Sequence, residues 1–217
     1  MILFILGQWN DSKSKGLGYE NCILVQSFSN ILSYDNRLVF SRLIKVVFMS
    51  HQILSHILPS ATPGTARMIK AHHFGEVGAR PKIYLQAGLH ADEWPGFLVL
   101  NKLIQRLSKA DDAGLIKGEI TLVPVANPIG LAQNFHGYIP GRFAFSDGGG
   151  NFNRNWPQLG EKVEHRIKTG ICSDPVKNTQ LIRSIISDEL KQLPETTELQ
   201  GLKKTLLAMS MDADEII

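Results

Sequence analysis

Cysteine is nearly missing from this chain: Cys22 and Cys172 are its two, far apart and in no metal-binding spacing. Such low usage fits a reducing compartment. Long apolar runs are missing too. None reaches the ~18 residues a membrane span needs. The opening run at 1–6 is too short for a signal-peptide core and has no basic lead. No membrane-spanning helix is therefore expected, and the cytoplasm is the expected location by default. A dominant charge is also lacking, with a net value of +3 and no basic cluster, so the charge does not argue for nucleic acid and none is expected as a partner. What remains is 217 residues, 43% of them apolar, which is the make-up of one globular domain with room for an appendage.

Regular patterning is absent from residues 1–48, which mix Ser, Asn and Gly with short apolar runs and sustain neither the period of a strand nor that of a helix. From Met49 the pattern is orderly. Residues 1–48 therefore read as an amino-terminal extension, either upstream translation or a genuine arm, and 49–217 as the domain proper. Peptides from 1–48 in the native protein would rule out a start at Met49.

Within the domain, 52–75 is an entry segment whose end, 66–74, alternates weakly as a strand does. His72 and His73 fall there. Adjacent strand side chains point to opposite faces, so the two cannot chelate one ion, and they read as surface histidines. Residues 82–87 form a buried strand, 93–108 an amphipathic helix and 119–125 a second strand, ended by Pro124. That is a βαβ unit, which predicts an α/β fold with parallel strands in a sheet covered on both faces. Residues 126–157 hold little regular structure, and a loop that long is usually functional or disordered; its polar content favours function. Asp174-Pro175 starts a helix to about 193, 197–209 form another, and 212–217 lead into a strand.

The centre of the chain is Gln86-Ala87-Gly88-Leu89-His90-Ala91-Asp92-Glu93-Trp94-Pro95-Gly96. His90 falls where the first strand ends and Glu93 where the helix begins, at the carboxyl edge where open α/β sheets bind ligands. An imidazole and a carboxylate on one rigid turn can share a Zn²⁺. Two fixed residues alone are equally well a solvated His and a helix-start Glu; the flanking strand, helix and glycines raise the metal reading. A second motif, Asn151-Phe152-Asn153-Arg154-Asn155-Trp156-Pro157, sets an amide beside a guanidinium. That pair receives carboxylates well, although alone it is also an ordinary turn with a surface Arg.

Taken together and in order, His-x-x-Glu, Asn-Pro-x-Gly and Asn-Arg-Asn-Trp-Pro resemble the zinc carboxypeptidase superfamily and, within it, the succinylglutamate desuccinylase/aspartoacylase family. The matching stretches are 61–67, 85–96, 123–133, 141–143 and 151–157, with a tail at 206–217. The resemblance implies a three-layer αβα fold with a mixed, mostly parallel sheet. It implies one Zn²⁺ held by His90 and Glu93, a carbonyl-polarising role for Arg142, and a substrate-carboxylate grip from Asn153 and Arg154. The partner implied is a small-molecule carboxylate. The family's third ligand, a His in an Asp-Leu-His segment after the strand near Asp214, and its later general-base Glu have no counterpart up to Ile217. The chain therefore reads as the amino-terminal part of such an enzyme, inactive in this truncated form. His136, in the long loop, is the best substitute ligand, and His165 reads as solvated. Asn151 is a further departure, since family members often carry Asp there. The expected activity is a zinc-dependent deacylase or esterase acting on a small N-acyl amino acid. The alternatives are a carboxypeptidase-type peptidase and a non-catalytic remnant that binds carboxylates.

Overall fold

The computed structural model describes residues 51–60, 62–145 and 150–217. The extension read at 1–48 lies outside the described residues. Five strands, β1 (Gln52–Ile57), β2 (Met68–Gly75), β3 (Lys82–Gln86), β4 (Glu119–Val123) and β7 (Glu215–Ile216), form one sheet in the order β1-β2-β4-β3-β7. The β3–β4 and β3–β7 pairings are parallel, while β1–β2 and β2–β4 are antiparallel. The sheet is mixed, as expected, and β1 supplies an antiparallel edge that sequence patterning did not show. Ile53, Leu54 and Ile57 are all exposed on β1, so its apolar residues follow no inside–outside alternation.

Helices cover both faces. α1 (Pro95–Asp112) lies on one, where Leu100 packs with Phe74 and Leu122. α5 (Glu198–Ser210) lies on the other, where Leu202 and Leu206 meet Ile69, Ala71, Tyr84 and Val123. The strand period of two does this sorting: Leu122 and Val123 are adjacent, both fully buried, and belong to opposite cores. Burial of each such side chain contributes about 1.5–3 kcal/mol. Tyr84 enters the α5-side core because its hydroxyl donates to Gln86 Oε1 at 2.9 Å, which satisfies the one polar atom it carries inward.

α1 begins and ends later than the 93–108 its periodicity predicts. Pro95 suits the first helical position, where a missing N–H costs nothing. At the other end Asp111, 1% exposed, accepts from the Gly75 backbone N–H at 2.9 Å, so a tertiary contact carries the helix past the polar Lys109-Ala110-Asp111 run. His72 and His73 do point to opposite faces, but they are not surface residues. His72 Nδ1 lies 2.9 Å from His51 Nε2, and His73 Nδ1 lies 3.1 Å from Thr121 Oγ1. Burial is the main cause holding both imidazoles below their ordinary pKa.

The long loop is partly built. It holds α2 (Pro128–Ala132) and a two-stranded ladder of β5 (Phe143–Ala144) and β6 (Gly150–Asn151). α3 (Gly160–Ile167) follows and has no buried residue. Its apolar signal is weak because ion pairs attach it: Arg166 bridges Asp188 and Glu189 on α4 (Pro175–Gln192). Among the described residues no helix is long and apolar enough to cross a membrane.

A charge cluster fastens β7 to β3. The Asp214 carboxylate accepts from the Lys82 backbone N–H at 2.7 Å and from Arg183 at 2.6 Å, and these bonds hold its pKa down to about 2. A carboxyl depressed in the folded state stabilises it above the unfolded value, and that contribution is lost as pH falls through the folded value. Asp214→Asn is therefore expected to lower the urea midpoint at pH 6, with wild type and variant converging between pH 4 and pH 2. Equal midpoints at pH 6 would contradict this role.

Candidate active site

The turn after β3 is held from three sides. The Ala87 N–H donates to the Val123 carbonyl at 3.0 Å and the Ala126 N–H to the Ala87 carbonyl at 2.8 Å, which continues the parallel ladder beyond the strands. Gly88 follows with φ of +69°, a conformation costly for other residues, and the Phe97 ring fills the space a Cβ there would need. Asn127, fully buried, accepts from the Gly130 N–H and donates to the Leu89 carbonyl, both at 2.8 Å. That one amide joins the His90 turn to α2 and explains what the Asn in Asn-Pro-x-Gly does. Opposite, the Ala91 N–H donates to the Gly141 carbonyl at 2.9 Å. Gly141 has φ of +30°, and a Cβ there would meet the Asp92 backbone N at 2.5 Å. The loop carrying Arg142 can therefore lie directly on the turn carrying His90 and Glu93. Glu93 itself precedes α1 rather than opening it, and its N–H donates to the His90 carbonyl at 3.1 Å.

Three of the five residues singled out in the sequence meet here. Arg142 Nη2 donates to Glu93 Oε1 at 2.6 Å, and Arg142 Nη1 lies 3.1 Å from His90 Nδ1. His90 Nδ1 and Glu93 Oε1 are 3.3 Å apart. Arg142 Nε also approaches Asp92 Oδ2, at 3.4 Å. The guanidinium holds the Glu93 carboxyl below its usual range, and Glu93 in turn raises Arg142. Asn153 lines the same hollow as His90 and Glu93. Arg154 does not join the contacts among His90, Glu93 and Arg142. Its guanidinium donates to the Asn153 carbonyl at 2.7 Å, and its own carbonyl accepts from Lys203 Nζ at 2.8 Å.

The residue whose work the sequence did not reveal is Asn151. Its Oδ1 accepts from the Asn153 backbone N–H at 2.8 Å, which identifies that atom as the oxygen, and it lies 2.7 Å from His90 Nε2. An amide oxygen only accepts, so Nε2 carries a proton, and in the neutral imidazole Nδ1 then presents a lone pair. Two acceptors, Nδ1 and Oε1, thus converge on one point, and such a pair calls for a cation between them. Among the described residues Arg142 answers that demand. No third His, Cys, Asp or Glu joins them in a group suited to an ion among the described residues. His136, the substitute considered from sequence, sits in an exposed turn with φ of +49°, its ring edge-on to Phe135.

Comparison with known proteins follows the same lines. Two solved Shewanella structures share the fold. One, from Shewanella frigidimarina NCIMB 400, has TM-score 0.66 and 24% identity over 77% of this chain and 45% of its own. The other, from Shewanella amazonensis SB2B, has TM-score 0.66 and 26% identity over 76% of this chain and 45% of its own. Both are described as succinylglutamate desuccinylase/aspartoacylase proteins. The fold is accordingly the mixed-sheet α/β fold of those two structures, and this chain spans less than half of their length. Residues 79–170 match the model for the succinylglutamate desuccinylase/aspartoacylase catalytic domain. No curated protein matches the chain.

Proposed function

We propose that these residues carry the metal-ligand turn and carboxylate clamp of a zinc-dependent deacylase or esterase, acting in the cytoplasm on the amide or ester bond of a small N-acyl amino acid or related carboxylate. The observation that carries the reading is the orientation of the His90 ring: Nε2 is turned to Asn151 Oδ1 at 2.7 Å, and Nδ1 stands 3.3 Å from Glu93 Oε1. Adjacent ligands around a tetrahedral zinc stand ~3.4 Å apart for metal–ligand bonds near 2.1 Å, so the donor set fits the ion. A ligating His that donates its other N–H to an oxygen acceptor is the usual partner arrangement at such centres. His90 Nδ1 and Glu93 Oε1 would hold the metal, which when bound supplies Lewis-acid polarisation and an acidified water. The protein groups do the rest. Arg142 donates to negative charge developing on the carbonyl oxygen, and Asn153 with Arg154 grips and orients the substrate carboxylate.

Two protein ligands are fewer than the three a catalytic zinc takes, so turnover by these residues alone is expected to be low. The same shortfall favours a second reading, carboxylate binding without catalysis. Metal analysis after zinc supply, with assays on N-acyl amino acids, tests both. Wild type is expected to retain zinc and His90→Ala to lose it. Wild type that stays metal-free ends the zinc reading. Release of C-terminal residues from peptides, with no action on acyl amino acids, favours the peptidase alternative.

A further inference from the structure

The open hollow around His90 and Glu93 measures about 650 Å³ and has an aromatic side that the proposed chemistry does not use. Trp94 lines it and is 56% exposed. Its ring leans on Phe97, with centroids 5.8 Å apart and planes at 48°. Phe97 in turn rests on the bare backbone of Gly88. An exposed indole supported from behind is a firm platform, because the ring beneath fixes its position before any ligand arrives.

The imidazole of His90 gives the hollow a direction. Its Nε2 edge faces Asn151, whose Oδ1 also holds the Asn153 N–H, so the carboxylate grip lies on that side. Its Nδ1 edge faces Glu93. A ligand held by its carboxylate at Asn153 and presenting its carbonyl at His90 and Glu93 leaves its far end to the remaining lining of the same hollow, of which Trp94 is the aromatic member. For an N-acyl amino acid, that far end is the acyl group.

We propose that Trp94 selects the acyl portion of the substrate and favours an aromatic or large apolar acyl group over a short one. The proposal rests on the reading of the site as one for N-acyl amino acids. Stacking and apolar burial on an indole amount to about a tenfold preference. The test is calorimetric binding of N-benzoylalanine and N-acetylalanine to the full chain with Zn²⁺ supplied. Wild type is expected to bind the benzoyl compound about tenfold more tightly. Trp94→Ala should bring the two within about twofold, whereas Trp94→Phe should keep most of the preference. Trp94→Gln, closer in size and equally without a ring, repeats the measurement should the alanine variant fold poorly. Equal binding of the two compounds by wild type, or an unchanged preference without the indole, overturns the role of Trp94 and leaves the deacylase reading standing. Failure of wild type to bind either compound overturns both.

Discussion

Asn151→Leu is expected to weaken Zn²⁺ binding by about tenfold to a hundredfold, the usual cost of losing the group that orients a ligating His. The side chains are similar in size, so little packing is lost. What disappears is the acceptor 2.7 Å from His90 Nε2. Without it the ring no longer prefers the tautomer that leaves Nδ1 bare, nor the rotation that aims Nδ1 at Glu93. The Asn153 N–H loses its acceptor in the same step, so the carboxylate grip should loosen as well. Asn151→Asp is the opposite control: it keeps the oxygen, adds charge and makes the imidazole a better donor to metal. Competition against a chromophoric zinc chelator gives the three affinities. The order expected is Asp at least equal to wild type, with Leu well below. Indistinguishable Leu and wild type, with His90→Ala clearly weakened, would show that Asn151 does not position the ring.

Much of this site is legible in the sequence, and the part that is not has a physical explanation. His90 and Glu93 are close in sequence and sit between a strong apolar strand and a strong amphipathic helix, so local pattern alone puts them on one turn. Arg142 could be placed only by family resemblance, because its approach depends on Gly141 lying against the Ala91 backbone, a long-range fit with no periodic signal. Asn151 stands out in the sequence only as a departure from the Asp that the resemblance implies, because its bond to His90 spans 61 positions and leaves no trace in spacing. The fold divides in the same way. β3, α1 and β4 follow from period and apolar content. β1 and α3 do not, since β1 is an edge strand with exposed apolar side chains and α3 is fastened by ion pairs rather than by a buried stripe. Sequence periodicity reports burial, and elements held by other means escape it.

Arg142→Ala should move catalysis and metal binding in opposite directions. If Arg142 stabilises the developing oxyanion, its loss lowers the rate on an N-acyl amino acid by about 10²–10³, the usual cost of one such donor. Yet in this structure the same guanidinium rests on His90 Nδ1 and Glu93 Oε1, the two atoms proposed to hold the ion. A metal taking those atoms must displace it, so removing it removes a competitor. The competing contacts are half-exposed, at 36% and 57% for the Arg142 and Glu93 side chains, and exposed pairs of this kind are weak. The expected gain in Zn²⁺ affinity is therefore modest, up to about fivefold. Arg142→Lys keeps the charge without the fork that reaches both atoms, and should fall between the two in both measurements. A variant that loses rate and zinc together would make Arg142 a structural support of the ligand turn instead of a group acting on substrate. A gain in zinc affinity alongside the loss of rate is the pattern that a mobile guanidinium, shared between ligands and substrate, requires.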